Sequence, residues 1–302
     1  MKSRSFRTFQ VDAFTSRLFT GNPAGVVLDA DSLDDAEMQA IARELGGGDT
    51  AFVHAASQPD HDLRVRFFTP TREVPFVGHA TVAAHVVRAQ ALRLDSQRVR
   101  QLSGTGIVEV DVQRRADAVQ VGIRQQAAAR VRAIEHGELE TLLDALGIGS
   151  SDLDPRCPVE IYARSSTRLL LAVRTHAALA RLKPDLAALA RLTPHLGADG
   201  FFVFTLESAT PGCLTESRMF CPAIGIAEDA VSGNAHGMLG AFLVRNGVLA
   251  ASGGVARFRG SQGAALGRPG QVDTEVEVTN GAPGTVRIAG TGVVVFATTL
   301  TL

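Results

Sequence analysis

The sequence predicts an α+β protein built as two duplicated halves, and three ordered matches predict it. Leu45-Gly46-Gly47-Gly48-Asp49-Thr50-Ala51-Phe52-Val53 resembles the stretch from Leu196 to Val203 at an offset of about 150 residues, half the chain. Arg66 to Pro70 and Arg218 to Pro222 are both R-x-F-x-P. Each is followed, 8 and 11 residues after its proline, by a glycine that opens an Ala-rich apolar helix, Gly78-His79-Ala80-Thr81 and Gly233-Asn234-Ala235-His236. Self-similarity at a fixed period is the signature of repeated structural units. The halves are expected to face each other across a pseudo-two-fold.

Each element follows from local pattern. Residues 6–11 alternate and read as a strand. Residues 19–23 (FTGNP) hold Gly, Asn and Pro, each suited to a turn, and 24–28 is a second strand. Ser32 is placed as an N-cap, with Asp34 and Asp35 in the first turn, where the helix dipole favours acids. Leu33, Met38, Ile41 and Leu45 recur at helical spacing, and Gly46 to Gly48 stop that helix. Residues 51–54 and 63–68 are strands, 69–78 an irregular loop with Pro70 and Pro75, and 79–92 a buried helix. Strands follow at 106–112 and 118–123, then a helix at 138–146. In the second half Tyr162, 169–173 and 200–206 are strands. Residues 177–196 are helical with Pro184 as a break, and 235–245 is a second buried helix. The last 55 or so residues are glycine-punctuated strands.

Composition excludes several function classes. Thirty Lys+Arg against 31 Asp+Glu leave a net charge of −1, without the basic surplus that displaces counterions from nucleic-acid phosphates. Three cysteines cannot all pair, form no CxxC and have no His at zinc spacing, so neither a disulfide framework nor a structural zinc is expected. A reduced, cytoplasmic location is the natural reading. No apolar h-region follows the basic N-terminus, and no apolar run approaches the ~18 residues of a spanning helix, so no membrane partner is expected. Gly104-Thr105-Gly106 and Gly290-Thr291-Gly292 lack the third glycine and the helix of a dinucleotide fingerprint. They read as strand-turn glycines.

The glycine-opened helices carry the chemistry. A helix N-terminus presents free N–H groups and partial positive charge, which suits a carboxylate or an enolate. Two such starts are expected to serve a small anionic substrate in the cleft between the halves. The polar residues near them are few: Asp49, His79, Glu228, Asp229, Ser232, Asn234 and His236. Asp49 reads either as a proton-shuttling base or as a turn acid after the glycines. His79 reads as a substrate-orienting group or a helix-cap residue. Asp229 reads as an anchor for a substrate amine or as a loop acid. His85, His176 and His195 are assigned no role, Glu73 is a loop acid, and Asn22 is structural.

Taken together, GNPAGVVL (21–28), GGGDTAFV (46–53), RFFTPTREVPFVGHAT (66–81), EDAVSGNAH (228–236) and GRPG (267–270) resemble the phenazine-biosynthesis PhzF-like isomerase family, over nearly the whole chain and in order. The resemblance implies the diaminopimelate-epimerase-like fold: two similar lobes, each a rolled, mostly antiparallel sheet around a central helix, with the active site between them. The expected division is an N-terminal lobe over 1–120, completed by a C-terminal strand at 286–302, and a second lobe over 121–285. The resemblance also implies proton transfer without a cofactor or metal, and a homodimer. In the family a Glu shuttles the proton. Here Asp49 stands at that position, one methylene shorter, and a shift of about 1 Å can cost about 100-fold. His79 and Asp229 fall at the family's other polar positions. Gly78, Gly233 and Asn234 fall at its substrate-carboxylate cradle, with Ser232 beside them. Related thiol epimerases carry a cysteine before each glycine-opened helix. Val77 and Ser232 occupy those places, which disfavours two-thiol racemisation. The expected activity is a single-carboxylate isomerase. A catalytically lapsed binding relative and an amino-acid racemase using Asp49 with a second base are the alternatives.

Overall fold

The computed structural model describes residues 3–115 and 118–302. Residues 1, 2, 116 and 117, which fall in the expected N-terminal lobe, lie outside it. The chain divides into two compact units, 1–125 with 289–302, and 126–288.

The first unit runs β1 (Ser5–Ala13), β2 (Asn22–Val27), α1 (Asp35–Leu45), β3 (Asp49–Ala55), β4 (Leu63–Phe68), β5 (Glu73–Val74), α2 (Gly78–Ala91), β6 (Gln97–Ser103), β7 (Gly106–Arg115) and β8 (Ala118–Gln126). Strand β1 pairs antiparallel with β2, β2 parallel with β3, β3 antiparallel with β4, β4 parallel with β6, and β6–β7–β8 antiparallel in turn. Helix α2 touches β1, β2 and β3 and also β7, so the sheet rolls around it. That explains its weak amphipathicity. Nine of its residues, from Ala80 to Ala89, are buried all round, as a helix enclosed by sheet must be. Helix α1 covers the opposite face of the sheet, where Met38 and Ile41 meet Phe52, Phe68 and Phe6. Burial of such side chains stabilises by roughly 1.5–3 kcal/mol each.

The second unit runs β9 (Ala129–Ala133), α3 (His136–Leu146), β10 (Glu160–Ala163), β11 (Thr167–Ala172), α4 (His176–Ala180), α5 (Leu186–Leu196), β12 (Phe201–Thr205), β13 (Thr215–Cys221), β14 (Ile226–Asp229), α6 (Gly233–Arg245), β15 (Val255–Gln262), β16 (Gly270–Thr279) and β17 (Ala282–Thr301). Its pairings repeat the first unit's: β10–β11 antiparallel, β11–β12 parallel, β12–β13 antiparallel, β13–β15 parallel, β15–β16 antiparallel. Helix α6 plays the part of α2, touching β10, β11, β15 and β16. The all-apolar run of β12 serves two layers. Phe202 and Phe204 join Phe242 and Leu239 of α6, whereas Phe201 and Val203 join Leu189 of α5 and Leu142 of α3. The last half of β17 returns to the first unit as the antiparallel neighbour of β1, from Ala13↔Gly292 to Ser5↔Thr301.

The break expected at Pro184 divides α4 from α5. Three local expectations change. Helix α1 is capped by Asp34 and not Ser32, because Asp34 and Glu37 close a reciprocal capping box. Asn22 and Pro23 open β2 and do not belong to the turn. Gly290-Thr291-Gly292 lies inside β17, where the ring of Phe14 fills the space a Gly290 side chain would need.

Candidate active site

One glycine-bounded loop places the candidate acid. Helix α1 ends on Gly46 in the left-handed region, at φ 58°. Two residues on, Gly48 adopts φ 146°, and a Cβ there would lie 2.5 Å from the Pro23 carbonyl oxygen. Only glycine lets the chain pass so close and enter β3 at once. Asp49 is therefore the first residue of β3, in register with Ala24 of β2, and not a turn residue. Side chains alternate along a strand. Phe52 faces α1, so Asp49 and Ala51 face the α2 side. His79, second residue of α2, brings its Nε2 to 3.7 Å from the Asp49 Oδ2. Both side chains are partly exposed, 25% for Asp49 and 16% for His79. Gly78, the first residue of α2, has open space where a side chain would stand. The cap residue Val77 offers no side-chain acceptor to the first-turn N–H groups. An acid, an imidazole and uncapped donors thus meet at one strand–helix junction.

The second unit repeats the framework with different chemistry. Thr50 is opposite Phe68 and Phe201 opposite Phe220, so the place of Asp49 is taken by Gly200. A Cβ on Gly200 would lie 2.5 Å from the Cys221 sulfur, and burial pushes that thiol up to about 12. Ser232 caps α6 through its hydroxyl, accepting from Ala235 N at 3.3 Å. Gly233 follows, buried. Asn234 stands where His79 stands, but its Oδ1 accepts from Arg164 at 3.3 Å and its Nδ2 donates to Ser166 at 2.9 Å. Asp229 ends β14, and its carbonyl accepts from Gln262 Nε2 at 2.7 Å. The Gln262 Oε1 accepts from Ser232 N at 3.0 Å, so one amide ties Asp229 to Ser232.

Both helix starts are pinned alike. The Thr81 hydroxyl donates to the Val77 carbonyl at 2.8 Å. His236, at the matching position, has Nδ1 2.8 Å from the Ser232 carbonyl. Burial holds His236 neutral, pushing it down to about 4, so Nδ1 carries the proton and donates. His85, also fully buried, sits at about 4 for the same reason, with Nε2 2.9 Å from Gln101.

The R-x-F-x-P repeats are structural. Arg66 stacks over Phe68 and makes a bidentate bond to Glu73 at 2.8 and 2.7 Å. Arg218 stacks over Phe220 and does the same with Glu228 at 3.0 and 2.8 Å. The hydrogen bonds from Arg66 hold Glu73 below the usual carboxylate range. Glu73 and Glu228 thus brace the short strands β5 and β14 that lead into the two helices. A Glu in each loop after the repeat was the sequence signal for this pairing. Gln262 and Arg164, far off in sequence and outside any motif, left none. Among the described residues no three His, Cys, Asp or Glu side chains converge as a metal site would need. Among the described residues no helix is long and apolar enough to cross a membrane.

The fold is shared with a hydroxyproline epimerase from Agrobacterium vitis, which superposes with a TM-score of 0.56 at 11% identity, covering 99% of this chain and 93% of that one. That likeness concerns the fold alone. The family follows from closer matches. The profile described as "Phenazine biosynthesis-like protein" matches residues 11–298. An "uncharacterized isomerase" of Clostridium acetobutylicum is 40% identical over 99% of both chains. The trans-2,3-dihydro-3-hydroxyanthranilate isomerase of Pseudomonas chlororaphis is 32% identical over 94% of this chain and 95% of its own. A PhzF-family protein of Bacillus anthracis superposes with a TM-score of 0.86 at 27% identity, covering 98% and 99%. The chain belongs to the phenazine biosynthesis-like (PhzF) family and is an isomerase.

Proposed function

We propose that the protein moves a proton within a small carboxylate-bearing substrate, using Asp49 as a single acid/base and no cofactor. The carrying observation is the Asp49–His79 pair at the head of α2, 3.7 Å apart, with Gly200 in the matching place of the second unit. Gly200 brings no carboxylate to the matching place of the second unit, which favours one base over the two opposed bases of a racemase. The Asp49 carboxylate takes a proton from a carbon next to an electron-withdrawing group. The electron pair left behind delocalises into that group. The partly exposed Asp49 carboxyl, whose proton exchanges with solvent, then delivers a proton to another carbon, so the double bond shifts and no atom is lost or gained. Proton transfer by a positioned carboxylate contributes about 10²–10⁴-fold. His79 holds a polar group of the substrate beside Asp49, and first-turn N–H groups of α2 stabilise developing negative charge. Asp229 acts with His79 on the substrate's polar groups and helps tautomerise the product, and Ser232, Gly233 and Asn234 at the head of α6 bind its carboxylate through backbone N–H groups. Three free cysteines favour a reducing cytoplasm, and membership of the family favours a homodimer.

The test is proton NMR in deuterated water, with trans-2,3-dihydro-3-hydroxyanthranilate and a panel of amino and hydroxy-amino acids. The expected result is deuterium entering a substrate with a change in its ultraviolet spectrum, and a loss of about 100-fold or more in Asp49→Asn. An Asp49→Asn protein as active as the parent overturns the acid/base role. Inversion of a stereocentre without a double-bond shift would mean racemase chemistry.

A further inference from the structure

Arg164 lies in the turn between β10 and β11. Two other arginines flank that hairpin. Tyr162 of β10 is in register with Arg130 of β9 and with Arg168 of β11. Arg130 pairs with Glu160 at 2.5 Å, and Arg168 lies 3.9 Å from Asp199. Arg164 has no acid partner among the described residues. Burial alone moves its pKa, pulling it below the usual arginine value, and no nearby carboxylate holds it up. Its side chain nonetheless keeps a face open to solvent.

The turn holds this cation at the head of α6. The Arg164 N–H donates to the Ser166 carbonyl at 3.1 Å. Asn234 Nδ2 donates to the Ser166 hydroxyl at 2.9 Å, and Asn234 Oδ1 accepts from Arg164 Nη2 at 3.3 Å. One amide thus fixes both the turn and the guanidinium, and it occupies a single donor of the guanidinium. Asn234 has in α6 the place that His79 has in α2. His79 stands beside an acid, and Asn234 stands beside a cation. The two helix heads are therefore of opposite sign: one suits proton transfer, the other recognition of an anion.

We propose that Arg164 binds the substrate's carboxylate at the head of α6 and selects an anion over its neutral analogue. This rests on the carboxylate placed there under the proposed function, and it adds the residue that reads its charge. A guanidinium presents its N–H groups in a planar fork that matches a carboxylate. Partial withdrawal from water strengthens the attraction of opposite charges. The bond from Asn234 holds the fork before the ligand arrives, which lowers the cost of ordering it.

Calorimetry with anthranilate and with its uncharged analogue 2-aminobenzamide tests this on the full chain and on Arg164→Ala, Arg164→Lys and Arg191→Ala. The parent is expected to bind anthranilate about tenfold or more tighter than the amide. Arg164→Ala is expected to weaken anthranilate by about tenfold or more and to leave the amide within about threefold. Arg164→Lys keeps the charge without the fork and is expected to fall between the two. Arg191→Ala removes the same charge from an exposed position on α5 and is expected to bind as the parent does. A parent that prefers neither ligand, or an Arg164→Ala protein that keeps the preference, overturns the proposal. Deuterium exchange with trans-2,3-dihydro-3-hydroxyanthranilate scores the acid/base reading separately. There Arg164→Ala is expected to raise KM more than it lowers kcat. Exchange in Arg164→Ala at the parent's KM overturns Arg164 and leaves Asp49 standing. Anion preference that Arg164→Ala abolishes, in a parent that exchanges no proton, keeps Arg164 and tells against proton transfer by Asp49.

Discussion

At the scale of residues, the candidate site depends on backbone that only glycine adopts. Gly48 holds φ 146° with the Pro23 carbonyl against it, and the next residue is Asp49. Gly48→Ala should cost about 1–3 kcal/mol through strain and close contact. It should also lower isomerase activity more than a core substitution of equal cost, because it moves the carboxylate. Chemical denaturation with turnover measured on the same samples checks this, and a fully active, equally stable Gly48→Ala protein contradicts it. The same geometry bears on the shorter acid. Asp49 reaches less far than Glu, and three glycines, Gly46 to Gly48, lead to it.

Elements are held at their ends by paired side chains. Arg218 and Glu228 are about 90% buried as side chains, and their bidentate bond joins β13 to the short strand ahead of α6. Such a pair couples strongly, because removing one partner strands the other charge away from water. A double-mutant cycle with Arg218→Met and Glu228→Gln should give a coupling of about 1–3 kcal/mol. The same cycle on Arg98 and Glu109, 3.8 Å apart and half-exposed, should give under about 1 kcal/mol. Equal couplings would show that the brace contributes no more than a surface pair.

For the whole molecule, buried histidines set the acid side of stability. His85 and His236 are pushed down to about 4 by burial, each in the helix at the centre of its unit. In the unfolded chain they titrate near 6.5. Between about 6.5 and 4 the unfolded state binds more protons than the folded state, so stability rises with pH across that window and falls as pH is lowered through it. The melting temperature should be nearly level from pH 8 to 7 and drop steadily from 6.5 toward 4. A flat profile down to pH 4.5 would refute this. Below that range the carboxylates held low by arginine, such as Asp62, Glu138 and Asp154, add loss of the same sign.

The amino-acid sequence by itself determined the duplication, the two glycine-opened helices and the strand pattern 63–68, because these are written in short-range periodicity and repeated motifs. It also carried the family, whose motifs are local runs. Only the tertiary structure decided which face of β3 Asp49 takes, that His79 meets it, and that Asn234 is committed to Arg164 and Ser166. It also decided that Glu73 and Glu228, ambiguous as loop acids, are braces. Strand β13 was invisible to periodicity because it is buried on both faces, and its register with β12 is what sets Gly200 opposite to Asp49 in kind. Contacts between residues far apart in sequence arise from how the sheet rolls. Rolling is a property of many strands at once, and no single segment encodes it.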